Sequence, residues 1–270
     1  MYINPKFNVT LMPTDNTYVF LSHSHYDFDK VCRLRNLLEE EGFKPLMFFL
    51  KAFENPKFEP MLKPILKEEI DQRKRFILCR SENSRKSEWV RFEEEYIKSK
   101  IIPFEVIDLD ASDEIQLEAI KNYRRRSRVF ISSQCSDKDL VQLIKKELNN
   151  HGFSTTWNKY IDLPRDTDVK SKNYYAFKEL IDNAKEGYVL YLLNSNCINR
   201  HQVMELNAAL QMSSRIITIW ISGEDLPSIL MLGGTEWTKH ILDVRDLSQV
   251  EQVRRIVEHL IEYDLQFNGE

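Results

Sequence analysis

The chain has 270 residues, a net charge of −4, 42% hydrophobic and 30% charged residues, which suits one large or two small globular domains. That charge gives no general attraction to nucleic acid or an anionic membrane, and no apolar run approaches the ~20 residues that span a bilayer. The four cysteines form no CxxC pair, and the seven glycines form no GxGxxG, GxxxxGK[ST] or GxSxG; this argues against structural zinc, a disulfide framework, a dinucleotide fingerprint, a P-loop and a nucleophile elbow.

Residues 1–17 read as an N-terminal arm without the basic start and long apolar core of a secretory signal. With unpaired cysteines, this predicts a cytoplasmic protein. The first predicted strand, 18–21, runs into a polar loop holding Ser22, His23, Ser24, His25 and Asp27. A helix follows, with Val31, Leu34, Leu37 and Leu38 at helical spacing, and Gly42 stands where a C-terminal cap would end it. A strand over 45–49, a helix over 62–72, the buried run RFILC, a helix over 88–98 and a strand over 101–107 complete the set. Residues 111–127, a helix with Ile115, Leu117 and Ile120 apolar and then the run Arg124-Arg125-Arg126, read as a solvated helical and basic linker.

The order then begins again. YVFLSHSHYDFD (18–29) aligns with RVFISSQCSDKD (128–139) at an offset of 129 − 19 = 110. Phe20 meets Phe130, Ser22 meets Ser132, Asp27 meets Asp137, and the offset holds without a gap to Gly42 and Gly152. So long a period reads as two copies of one domain and not as a solenoid. The second copy has a strand over 129–131, a helix bearing Leu140, Leu143, Ile144 and Leu148, and a strand over 154–157. A helix over 174–183, the run YVLYLL, a helix over 201–212 and a strand over 216–221 follow. Alternating strands and helices predict α/β architecture, a parallel sheet with helices on both faces in each copy. A terminal helix has capping-box spacing at Ser248 and Glu251 and an apolar face of Val250, Val253, Ile256, Val257, Leu260 and Ile261. It is expected to pack on the second domain. The predicted division is 1–17 arm, 18–110 first domain, 111–127 linker, 128–245 second domain and 246–270 terminal helix.

Ligands of open parallel sheets bind beyond the carboxyl ends of the strands, which makes the post-strand loops the candidate site. These supply Ser22, His23 and His25 after the first strand and Ser81 after the third. Trp89 and Glu93 are four residues apart and share one face of a helix. An aromatic ring beside a carboxylate suits a ligand that stacks and develops positive charge. Asp27 and Asp29 stand at a helix start, where carboxylates act as caps. The HxH pair His23 and His25 lacks a third and fourth ligand at zinc spacing, so no metal site is predicted.

The order of these pieces resembles the TIR (Toll/interleukin-1 receptor) domain, particularly its bacterial forms, over roughly residues 18–108. VFLSHSHYD, the end of the first helix at EEEGF, RFILCRSENSRKSEWV and the Ser87-to-Glu93 block carry the resemblance. VFISSQCSD, NNHGF, YVLYLLNSN and HQVMELNAAL carry it in the second copy, where Glu205 falls at Glu93 (205 − 93 = 112) and His201 at Trp89. The resemblance implies two tandem flavodoxin-like TIR domains. It implies cleavage of the nicotinamide–ribose bond of NAD, giving ADP-ribose or a cyclic ADP-ribose signal, in bacterial antiphage immunity. Glu93 is then the catalytic residue, with Ser22, His23, His25, Phe53, Ser81 and Trp89 around the substrate. Ser132, His201 and Glu205 are the second-domain counterparts. NAD enters as substrate and no cofactor is implied. TIR–TIR self-association and a downstream effector sensing the nucleotide product are the implied partners, with neither nucleic acid nor membrane. The competing expectations are a non-enzymatic TIR–TIR adaptor and a nucleoside deoxyribosyltransferase-like enzyme.

Overall fold

The computed structural model describes residues 18–47, 59–100, 102–157, 187–194, 200–211, 215–224 and 241–268. The helix expected over 174–183 lies outside them. The first unit runs β1 (Tyr18–Ser22), α1 (Phe28–Glu40), β2 (Lys44–Met47), α2 (Glu59–Asp71), β3 (Phe76–Arg80), α3 (Glu82–Lys86), α4 (Glu88–Ser99), β4 (Phe104–Asp108) and α5 (Asp113–Arg126). The second runs β5 (Arg128–Ser132), α6 (Lys138–Asn150), β6 (Ser154–Trp157), β7 (Tyr188–Asn194), α7 (Arg200–Gln211), β8 (Arg215–Ser222), β9 (Ile241–Asp243) and α8 (Gln249–Asn268). A short 3-10 turn precedes α1 and another precedes α6.

Both sheets are parallel. Their orders are β2-β1-β3-β4 and β6-β5-β7-β8-β9. The first four strands of the second sheet repeat the order of the first, and β9 adds an edge strand that has no counterpart among the described residues of the first sheet. The chain leaves β1 toward one side and returns to the other, so the order reverses between β1 and β3. In the second unit it reverses between β5 and β7. These reversals open the crevices where such folds bind ligands.

Strand alternation distributes the core. Val19 and Leu21 of β1 and Ile77 and Cys79 of β3 face α1 and α5, packing with Leu34, Leu38 and Tyr123. Phe20, Phe76 and Leu78 face the opposite side, against Ile70 of α2 and Ile97 of α4. The second sheet does the same. Val129 and Ile131 pack on α6 and α8, and Phe130 packs with Leu206 and Ala209 of α7. The terminal helix docks along α6 through Val253, Ile256, Val257, Leu260 and Ile261, whereas Val250, expected on the same face, is exposed in the first turn. Its start is capped by Glu251, whose carboxylate accepts from the Ser248 amide at 3.1 Å.

Residues 113–126 are not the solvated linker expected. They form α5, which packs on α1 and buries Ile120 and Tyr123 in the first core. The expected apolar face is rotated, because Ile115 is exposed and Gln116 is buried with its amide donating to two carbonyls. Of the three arginines, Arg126 is the least solvated, and it pairs with Glu105 of β4.

Helices α1 and α6 end alike. Gly42 (φ +79°) and Gly152 (φ +83°) sit just past the helix, and the next amide reaches back across the last turn, Phe43 to Leu38 and Phe153 to Leu148. Only the end of α6 is covered from the other unit; the end of α1 is met within its own unit by Arg124, which donates to the Glu41 carbonyl at 3.2 Å. Arg75 Nε and Nη2 donate to the Gly152 carbonyl at 3.1 and 2.9 Å, and Lys74 Nζ donates to the Asn149 carbonyl at 3.2 Å. Cations at a helix C-terminus meet its partial negative charge. Lys74 and Arg75 precede β3, Arg126 precedes β5 and Gly152 precedes β6. The junction between the units is therefore built at the amino ends of both sheets.

Candidate functional site

Ser22 is the last residue of β1. By alternation it lies on the face of Phe20, the side covered by α4. Helix α4 starts at Ser87, whose hydroxyl caps the Val90 amide, and it turns Glu93 inward one turn later. The two meet at the carboxyl end of the sheet. Ser22 Oγ donates to Glu93 Oε2 at 2.5 Å, and both side chains are buried. Burial disfavours the carboxylate and pushes the Glu93 pKa up to about 7, against the smaller opposing effect of the Ser22 hydrogen bond. A buried carboxyl with a raised pKa in a sheet crevice is a recognisable mark of a working group.

The loop between β1 and α1 forms one wall. Asp27 occupies the N-cap position of α1, yet its carboxylate makes no cap hydrogen bond, contrary to the capping role expected for it. It accepts instead from Ser81 Oγ at 2.5 Å and from Asn83 Nδ2 at 2.8 Å, joining the loop after β1 to the loop after β3. Asp29 takes the first-turn place in α1. Ser81 is thus committed to Asp27 and to capping Ser84 of α3. His23 is half-buried, its Nδ1 donates to the Leu21 carbonyl at 2.9 Å, and desolvation holds its imidazole below the ordinary range. His25 is exposed and lies against the Tyr26 ring at 3.8 Å.

Trp89 is partly exposed and packs edge-on against Phe92 at 6.5 Å; Phe92 stacks on Tyr96. These rings form a row along α4, beneath Lys63 and Lys67 of α2. Glu93 lies about 40° to the other side of Trp89 around the helix. The ring stands between the aromatic row and the carboxylate. Phe53 lies outside the described residues.

The second unit builds the same pair. Ser132 ends β5 on the face of Phe130, and its Oγ donates to Glu205 Oε2 of α7 at 2.5 Å, again buried. His201 opens α7, and its side chain is outside what is described. Asp137 accepts from Asn194 at 3.4 Å; Asn194 stands at the strand-end position of Ser81, so this bond is the counterpart of the Asp27–Ser81 bond. Among the described residues no group of three His, Cys, Asp or Glu could hold a metal ion, and no helix is long and apolar enough to cross a membrane.

A TIR domain is found over residues 19–125, a span that closes inside α5 and leaves the second unit outside it. No curated protein matches the chain. A crystal structure of a mutation variant of SsGBP aligns over 94% of this chain and 99% of that chain at 12% identity, with a TM-score of 0.33.

Proposed function

We propose that the first unit cleaves the nicotinamide–ribose bond of NAD with Glu93 as its catalytic carboxylate, giving ADP-ribose or a cyclic form of it. The observation that carries this reading is the buried Ser22–Glu93 pair at the crevice of a TIR domain. In the reaction the C1′–N bond breaks, and its electron pair neutralises the nicotinamide cation, so no general acid is needed. The ribose becomes oxocarbenium-like, and a fixed carboxylate stabilises that charge. Ser22 orients the carboxylate, and the positive nicotinamide ring arriving beside Glu93 favours its ionised form. Water then adds at C1′ with loss of a proton, or an internal nucleophile of the same molecule closes the ring. Trp89 offers a face for a planar ring. The second unit, a TIR-like copy by its order of strands and its Ser132–Glu205 pair, serves a structural or regulatory role. The biological setting this reading fits is bacterial antiphage defence through depletion of NAD or through a nucleotide signal sensed by a partner.

A second reading is a self-associating adaptor. Met61 and Ile65, one turn apart on α2, are 64% and 43% exposed and offer a contact surface. The test is nicotinamide release from NAD at high protein concentration, followed by chromatography of the products. Release that disappears in Glu93→Ala supports the first reading. Assembly that depends on Met61 and Ile65, with no release in any state, supports the second.

A further inference from the structure

The junction at the amino ends of the sheets holds a second cavity, of about 210 Å³, lined among others by Glu41, Phe43, Arg75, Arg124, Arg128 and Ser154. It lies at the opposite end of the strands from Ser22 and Glu93. Three guanidinium groups meet one carboxylate there. Arg124 is engaged, donating to the Glu41 carbonyl at 3.2 Å and lying 3.6 Å from its carboxylate. Arg75 is only 5% exposed and is held over the Phe43 and Tyr123 rings, each 5.6 Å away. Its Nε and Nη2 are spent on Gly152, which leaves Nη1 without an acceptor among the described residues. No described carboxylate forms an ion pair with it. A buried cation without a counterion is costly, and desolvation with repulsion from Arg124 pushes its pKa down. Arg128, the first residue of β5, has no side-chain hydrogen bond or ion pair among the described residues. The Ser154 side chain is exposed, and its hydroxyl is likewise uncommitted. The C-termini of α1, α5 and α6 each contribute about half a negative charge here. With Glu41 they offset about two and a half of the three arginines and leave a surplus of about half a positive charge, so the uncommitted donors carry the site.

We propose that this cavity binds a phosphate group between Arg75 Nη1, Arg128 and the Ser154 hydroxyl. The planar fork of arginine matches phosphate oxygens in two-point contacts. The volume falls below the ~300 Å³ at which small-molecule pockets begin, so the site admits a free phosphate or the phosphate end of a nucleotide and not a whole dinucleotide. Arg75 comes from the first unit and Arg128 and Ser154 from the second, so the ligand ties the units together. The proposal does not depend on catalysis at Glu93.

The test is calorimetric titration of the full chain with inorganic phosphate and with AMP, at constant ionic strength set by chloride. Saturable binding of one phosphate per chain is expected. Arg128→Gln should weaken it at least tenfold, Glu41→Gln should tighten it several-fold, and Glu93→Gln should leave it unchanged. Melting temperatures of the variants near that of the wild type show that each is folded. No saturable binding at millimolar phosphate, or equal affinity in wild type and Arg128→Gln, overturns the proposal. AMP binding that is tighter than phosphate and equally dependent on Arg128 assigns the phosphate to a nucleotide; equal affinities assign the free ion.

Discussion

In the first unit Ser22 holds Glu93, and in the second Ser132 holds Glu205, both at 2.5 Å. Their surroundings diverge. Leu78 of β3 is replaced at the same register by Tyr191 of β7, whose buried hydroxyl has no hydrogen-bond partner among the described residues and whose pKa is raised by burial and by the Glu205 charge. Trp89 gives way to His201 in sequence. The loops after β1 and β3 are joined by two good bonds at Asp27, whereas among the described residues Asp137 takes one at 3.4 Å from the strand end and otherwise accepts within its own loop, from the Gln134 amide and the Ser136 hydroxyl. The pair itself follows from strand alternation and a helix laid on one face, so its presence alone marks the scaffold. What distinguishes the units is the setting of the carboxylate.

The sharpest break in the comparison is activity. Under the proposed reading Glu93→Gln should lower nicotinamide release by about 10²–10³-fold, the scale of losing an electrostatic stabiliser, and Glu205→Gln by no more than a few-fold. Equal losses in the two variants would show two active units.

The pH dependence of stability comes next. Glu93 has a folded pKa of about 7, above its ordinary value of 4.5. The folded state therefore holds the proton more tightly. The stability that this contributes is full below about pH 4.5 and is lost as pH rises to about 7. The loss is at most about 3 kcal/mol, and Glu93→Gln should remove that part of the slope in melting temperature measured from pH 4.5 to 7.5. A wild-type profile parallel to that of the variant would contradict the raised pKa.

The two glycines provide a third comparison. Alanine at either position takes a left-handed backbone at about 1–2 kcal/mol. A Cβ on Gly42 meets nothing within 4 Å, whereas one on Gly152 falls 2.7 Å from the Lys74 carbonyl. Gly152→Ala should therefore cost about 1–3 kcal/mol more than Gly42→Ala in denaturant unfolding. Equal costs would show that the junction yields freely.

The smallest contrast is at the aspartates. Asp27→Ala strands the Ser81 hydroxyl and the Asn83 amide and should cost about 2–3 kcal/mol, against about 1 kcal/mol for Asp137→Ala. Thermal denaturation of the two variants measures the difference.

Much of this molecule was legible from residue order. RFILC and YVLYLL gave buried strands because strands covered on both faces carry unbroken apolar runs. Gly42 and Gly152 marked helix ends because left-handed backbone favours glycine. Glu93 stood out by its spacing from Trp89. Its partnership with Ser22 did not, because the two are 71 residues apart and meet only once the sheet is ordered. The segment 111–127 misled because its charge concealed a face made by Gln116, Ile120 and Tyr123. Arg75 gave no signal at all: an arginine before a strand usually lies in solvent, and here the Phe43 and Tyr123 rings of its own unit and Gly152 of the second enclose it. Strand β9 is three residues long and carried no periodicity.

The junction joins the sheets at their amino ends, and strand polarity carries the two carboxyl-end crevices away from it. One chain thus has two mouths that open away from each other, and among the described residues neither lends a side chain to the other. Either mouth is open to a second molecule. If the first mouth of one copy meets the second mouth of the next, each addition leaves a fresh pair of unlike ends, and such contacts extend into a row unless their rotation happens to close a ring.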